Sequence, residues 1–147
     1  MSKEDDGSRA RVVDHVAIAV ADLDGAADLF TRLLGVDPAW SAESTEQGVR
    51  VEVFDLGGVK IELMEGTDPA STVARFVEKR GQGLHHICYA VGDIQTALAR
   101  VSDEGFEVLG SGDDIGVEGR PVAFLHPKST GGVLTEFIEG RDDDEAE

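Results

Sequence analysis

One histidine and one glutamate recur at matching places in two related stretches of the sequence, and the four side chains together could hold a metal ion. His15 stands in Asp14-His15-Val16-Ala17-Ile18-Ala19-Val20, and His86 stands 71 residues later in His85-His86-Ile87-Cys88-Tyr89-Ala90-Val91. Glu62 lies in Gly58-Val59-Lys60-Ile61-Glu62-Leu63-Met64-Glu65-Gly66. Glu136 lies 74 residues on, in Gly132-Val133-Leu134-Thr135-Glu136-Phe137-Ile138-Glu139-Gly140. Two imidazoles and two carboxylates leave positions open on a six-coordinate divalent ion such as Co²⁺, Mn²⁺, Fe²⁺, Ni²⁺ or Zn²⁺. A lone histidine beside a strand is more often structural, and a lone glutamate on a strand is usually solvated. Finding both types at equivalent places in both stretches selects the ligand reading.

The elements that would carry these residues follow from periodicity. Side chains alternate along a strand, so Val16, Ile18 and Val20 share one face while His15, Ala17 and Ala19 share the other. Ile87, Tyr89 and Val91 alternate in the same way with His86, Cys88 and Ala90. Further on, Val59, Ile61 and Leu63 oppose Lys60, Glu62 and Met64, while Leu134, Glu136 and Ile138 lie on one side. The apolar sets suit packing on a helix, which leaves each His and Glu on the far face. His85 neighbours His86 but points the other way, which gives it a supporting role.

Each strand with a histidine ends near an Asp fit to cap a helix. The first helix starts from Asp22 with an apolar stripe of Leu23, Ala26, Ala27, Phe30, Leu33 and Leu34, and Gly35 stops it. The second starts from Asp93 with Ile94, Ala97, Leu98 and Val101, and stops at Gly105. Strand candidates follow at 48–56 and 59–64 in the first half, and at 108–109, 121–124 and 133–138 in the second. A linker helix is expected over 71–80, with Val73, Phe76 and Val77 on one side. The pattern is β-α-β-β-β twice, an α+β fold of two tandem modules; if they form a curved, partly closed mixed sheet, the four side chains converge on one metal. The expected boundaries are an acidic disordered tail over 1–10, modules over 11–66 and 84–140, a linker over 67–83, and an acidic tail over 141–147.

Composition bounds the function. The chain has 147 residues, 41% of them hydrophobic, which is enough for a core and excludes wholesale disorder. No apolar run approaches the ~20 residues of a membrane helix, and the first residues lack the apolar stretch of a signal peptide. A soluble cytoplasmic protein is expected, with no membrane partner. The single cysteine, Cys88, excludes an internal disulfide framework and a Cys-rich zinc site. Thirty acidic residues against thirteen basic ones give a net charge of −17, which disfavours nucleic acid as a partner. The basic residues are mostly arginine, with lysine only at 3, 60, 79 and 128. An acidic, lysine-poor surface points to a halophilic setting, where salt screens self-repulsion.

The paired modules and their His/Glu/His/Glu face resemble the vicinal oxygen chelate superfamily of glyoxalases and bleomycin resistance proteins, and within it the methylmalonyl-CoA epimerases. The resemblance spans about residues 12–139. It is carried also by Ser71-Thr72-Val73-Ala74, and its most specific segments are Glu46-Gln47-Gly48-Val49, Leu84-His85-His86 and His126-Pro127-Lys128-Ser129. It implies an isomerase that inverts C2 of methylmalonyl-CoA, interconverting the R and S forms in propionate metabolism. It also implies one divalent ion per chain, Co²⁺ or Mn²⁺ foremost, and a homodimer acting on a CoA thioester. Glu136 would be both a ligand and one base. The second base in some relatives is a Glu two residues past the Val of Glu-Gln-Gly-Val. That position here is Val51, and Glu52 comes one later, so Glu52 serves only if a bulge corrects the register. Gln47, Arg50, Lys128 and Ser129 are the implied substrate contacts; a plain β-turn would explain the 126–132 loop equally well. Other activities compatible with the fold are a glyoxalase I-type lactoylglutathione lyase and a non-catalytic binding protein. An oxygenase is disfavoured, because its iron site typically holds two His and one carboxylate.

Overall fold

A computed structural model describes residues 6–140. In chain order the elements are β1 (Ala10–Ala19), α1 (Leu23–Leu34), β2 (Trp40–Ser44), β3 (Val49–Leu56), β4 (Val59–Gly66), α2 (Thr72–Arg80), β5 (Gly83–Val91), α3 (Ile94–Asp103), β6 (Val108–Ile115), β7 (Pro121–Leu125) and β8 (Thr135–Glu139). A 3-10 turn at Pro127–Ser129 precedes β8. The β-α-β-β-β order occurs twice.

The chain divides into two compact units, one spanning His15–His85 and the other joining the segment that ends at Asp14 to everything from His86 onward. Their boundaries fall inside β1 and β5, so they do not coincide with the expected modules at 11–66 and 84–140.

In the unit His15–His85, β4 is flanked by β1, parallel, and β3, antiparallel, and β2 continues the antiparallel run. The Asp22 side chain accepts from the Gly25 N–H and starts α1, while Gly35 ends it in the left-handed region at φ 77°. Helix α1 packs Leu23, Ala26, Ala27, Phe30 and Leu34 against Ile18, Val20, Phe54, Ile61 and Leu63. Each large side chain so buried contributes on the order of 1.5–3 kcal/mol. Leu33 was expected in that stripe but is 69% exposed; at about 100° per residue it falls roughly 80° from Leu23, on the stripe's edge.

The other unit repeats the plan. β8 lies between β5, parallel, and β7, antiparallel, with β6 beyond. Asp93 caps α3 through the Thr96 N–H. The core joins Val91, Ile94, Ala97, Leu98, Val101, Ala123, Leu125 and Phe137.

A second capping device is duplicated with the modules. Glu65, at the end of β4, accepts from the Leu23 N–H at 3.1 Å, and Glu139, 74 residues later on β8, accepts from the Ile94 N–H at 3.0 Å. Each carboxylate satisfies an orphan donor at a positive helix end and fixes the last strand to the helix.

Three expectations are corrected. Residues 40–44 form β2, and β6 runs to Ile115 rather than ending at 109. Both are polar strands whose pattern lacks a continuous apolar face. The N-terminal segment is held from residue 6 onward. Gly7 O accepts from Asp93 N at 2.9 Å and Ser8 O accepts from Arg100 Nε at 3.1 Å. Gly7 is required there, because a Cβ would stand 2.8 Å from the Asp93 Cβ. Residues 1–5 and the expected tail at 141–147 lie outside the described residues.

Candidate metal centre

Each unit holds one buried imidazole–carboxylate pair. In the first, β1 carries His15 and β4 carries Glu62. The parallel register sets His15 beside Lys60 and Ala17 beside Glu62, which puts these side chains on the face away from α1. The His15 Nδ1 lies 3.6 Å from Glu62 Oε2, and the two residues are 4% and 3% exposed. Val51 and Val53 of β3 stand opposite Met64 and Glu62 and extend the same face as hydrocarbon.

In the second unit, β5 carries His86 and β8 carries Glu136, which pairs with Cys88 of β5 and Phe124 of β7. His86 Nε2 is 2.9 Å from Glu136 Oε1, and the residues are 5% and 7% exposed. The Phe124 ring meets the His86 ring edge-on, with centroids 5.3 Å apart at 87°. Cys88, Ala90, Val122 and Ile138 fill the rest of that face. Phe124 occupies the position that Val53 holds in the first unit, so the two faces share their ligand types but not their lining.

The donor set fits a divalent ion. Two atoms bound to one such ion at about 2.1 Å stand roughly 3–4 Å apart, and the two pairs measure 3.6 and 2.9 Å. Carboxylates this deeply buried require a cation or a metal to offset their desolvation.

Glu52 does not share the ligand face. The β3–β4 register is unbroken from Val49 to Leu56, with no bulge, and sets Glu52 opposite Leu63. Leu63 packs toward α1, as does Phe54, two residues beyond Glu52. The one-residue offset therefore keeps its full effect, and Glu52 as a second base is withdrawn. Arg50 lies on the same side as Glu52. Its guanidinium reaches Asp24 at 3.3 Å and Glu65 at 3.6 Å, so it braces the start of α1 instead of facing a substrate on the ligand side.

The remaining expected contacts lie in turns. Gln47 is exposed between β2 and β3, where its N–H donates to Ser44 Oγ at 3.1 Å. Lys128 is exposed, and its N–H donates to His126 Nδ1 at 3.0 Å. Ser129 Oγ donates to His126 O at 2.9 Å and accepts from Glu107 N at 3.1 Å. Ser129 thus holds the loop's shape. His85 packs edge-on to Phe76 of α2 at 4.8 Å, consistent with a supporting role.

Sequence reasoning missed Arg120. This largely buried guanidinium donates from Nη1 to the Glu139 carbonyl at 3.0 Å. From Nη2 it donates to Asp14 Oδ1 at 3.2 Å and to Glu118 Oε1 at 2.8 Å. Burial works to lower its pKa, but hydrogen bonds and charge from Glu118 and Asp14 outweigh burial and raise it above the ordinary arginine value. The signal that could have found it is weak: Asp14 is a carboxylate on a strand that is mostly apolar beyond Arg11, and its burial calls for a cationic partner.

The family model described as "Glyoxalase/Bleomycin resistance protein/Dioxygenase superfamily" matches residues 14–124. An ethylmalonyl-CoA/methylmalonyl-CoA epimerase of Cereibacter sphaeroides is 44% identical over 127 residues, covering 85% of this chain and 95% of that one. The mitochondrial methylmalonyl-CoA epimerase of Homo sapiens is 39% identical over 126 residues, covering 85% and 72%. Among solved structures, a variant of Streptomyces coelicolor methylmalonyl-CoA epimerase in complex with 2-nitronate-propionyl-CoA superposes with a TM-score of 0.86 at 31% identity, covering 91% and 97%.

Proposed function

The chain belongs to the glyoxalase/bleomycin resistance protein/dioxygenase superfamily, and we propose that it is a metal-dependent epimerase interconverting (R)- and (S)-methylmalonyl-CoA. The observation that carries this reading is the duplicated buried pair, His15 with Glu62 and His86 with Glu136. On this reading all four side chains hold one divalent ion per chain, Co²⁺ or Mn²⁺ first. When bound, such an ion supplies Lewis-acid stabilisation of the negative charge that develops on an enolate.

The C2 proton of methylmalonyl-CoA lies between a thioester and a carboxylate, so its removal leaves an enolate. Glu136 takes that proton. Its carboxylate lies 2.9 Å from His86 Nε2, the spacing of two donors on one ion, and Phe124 packs against the imidazole. Inversion also requires a donor on the opposite face. Val49, Val51 and Val53 on the ligand face of β3 do not provide one.

The substrate is polyanionic, and Lys128 offers an exposed cation on a loop hydrogen-bonded through His126 and Ser129. Lys128 is the proposed polar contact, with Gln47 at the exposed rim. The reading extends to a homodimer, a cytoplasmic setting in propionate metabolism, and adaptation to high salt, which the net charge of −17 supports.

The test is metal analysis of the purified protein, followed by C2 proton exchange of methylmalonyl-CoA in D₂O. Bound divalent ion and exchange are the expected results. Isomerisation of a glutathione hemithioacetal without exchange would make the protein a lactoylglutathione lyase instead. Neither activity, with metal bound, would leave a binding protein.

A further inference from the structure

Asp14 immediately precedes His15 on β1, and it is buried on a strand where a carboxylate needs a partner. Arg120 supplies one. Three acceptors surround its guanidinium: Asp14 Oδ1, Glu118 Oε1 and the backbone carbonyl of Glu139. Glu139 is the residue whose side chain caps α3, and it stands three positions after Glu136 on β8. Arg120 closes the β6–β7 turn, where its own carbonyl accepts from Gly116 N at 3.0 Å. It directly precedes β7, the strand that places Phe124 on His86.

We infer that Arg120 is a positioning residue for the metal ligands, acting through Asp14 on the backbone that carries His15 and through the Glu139 carbonyl on the strand that carries Glu136. The inference rests on the ligand assignment proposed above. The fork geometry of arginine is what the role demands, since three acceptors in different directions need several donors in fixed relation. Lysine offers the charge at a single point on a flexible stem. A group that orients ligands typically changes metal affinity by 10–100-fold when it is removed.

Electrostatics and positioning predict opposite signs, which makes the inference testable. Arg120→Gln removes a positive charge, so a charge effect alone would tighten cation binding. Loss of positioning weakens it.

The experiment is calorimetric titration of Mn²⁺ into the metal-stripped full chain, for the parent, Arg120→Gln, Arg120→Lys and Arg32→Gln. The last removes an exposed ion pair with Asp28 and serves as the control. The expected result is Mn²⁺ affinity lower by about 10–100-fold in Arg120→Gln, lower in Arg120→Lys although the charge is kept, and unchanged in the control. Melting of each metal-free variant is recorded alongside. A variant with lowered melting temperature but Mn²⁺ affinity within twofold of the parent has lost structure only, and overturns the inference. Should Arg120→Gln not fold, Arg120→Lys decides by the same criterion. A parent that binds no divalent ion overturns the ligand assignment itself, a result distinct from a parent and variants that bind equally.

Discussion

His86 Nε2 stands 2.9 Å from Glu136 Oε1, and the Phe124 ring packs nearly perpendicular to the imidazole with centroids 5.3 Å apart. The contact fixes a carboxylate and an imidazole in one orientation, on neighbouring parallel strands whose register sets Glu136 beside Cys88. On the proposed ligand assignment, donor atoms so placed would cost little to organise around a cation.

That geometry makes Glu136 the most sensitive position. Glu136→Gln is expected to lower C2 proton exchange by at least about 100-fold, in the range of losing a general base. Circular dichroism should show the fold retained. Exchange at the parent rate in a folded Glu136→Gln would remove the mechanism.

The register of β3 makes the reverse forecast for Glu52. Because this side chain faces α1, on the side of Leu63 and Phe54, Glu52→Gln should leave kcat within about threefold of the parent. A loss on the scale of a missing base would mean that the strand is bulged after all.

Stripping the protein with a chelator should abolish exchange and lower the melting temperature, and restoring Co²⁺ or Mn²⁺ should recover both. Ion at 100 times its dissociation constant adds about 2.7 kcal/mol to stability. An unchanged melting curve in saturating ion would contradict the four-ligand site.

The helix caps give a pH signature. Hydrogen bonds from Thr96, backbone first and then side chain, hold the Asp93 carboxyl below its ordinary pKa. A depressed pKa contributes stability that is present above the ordinary carboxylate value and lost as pH falls through the lowered one. The melting temperature of Asp93→Asn should therefore fall less steeply than that of the parent as pH drops below about 4. Identical slopes would show that this cap adds nothing. At neutral pH, Glu139→Gln should cost about 1 kcal/mol through the weakened bond to Ile94 N.

Substrate capture should depend on salt. At net charge −17 the protein repels a polyanionic thioester, and screening shortens that repulsion to a few ångströms near 1 M salt. The ratio kcat/KM is expected to rise from low to multimolar KCl. A monotonic fall would count against a halophilic protein.

The duplicated architecture and the placement of the candidate His and Glu side chains were legible because both rest on local periodicity. Alternation placed His15, Glu62, His86 and Glu136 on the strand faces away from the helices, and the apolar partners Ile18, Leu63, Tyr89 and Phe137 do pack toward α1 or α3. Strands β2 and the second half of β6 were not legible. Ser41, Glu43, Ser111, Asp113 and Asp114 carry no hydrophobic signal, and only pairing with a neighbouring strand makes these segments extended.

From residues alone came the identity of the modules, their order and the four candidate ligands, since period-two and period-3.6 patterns are properties of a chain's own neighbours. Register and side-chain partnership lie beyond any such pattern. Whether Glu52 faced Glu62 depended on the presence of a bulge, Arg50 could have met a substrate or the carboxylates of Asp24 and Glu65, and nothing near Arg120 in sequence names Asp14, 106 positions away. Those choices are made by long-range hydrogen bonds and by the cost of leaving a buried charge alone, which exist only once the strands have met.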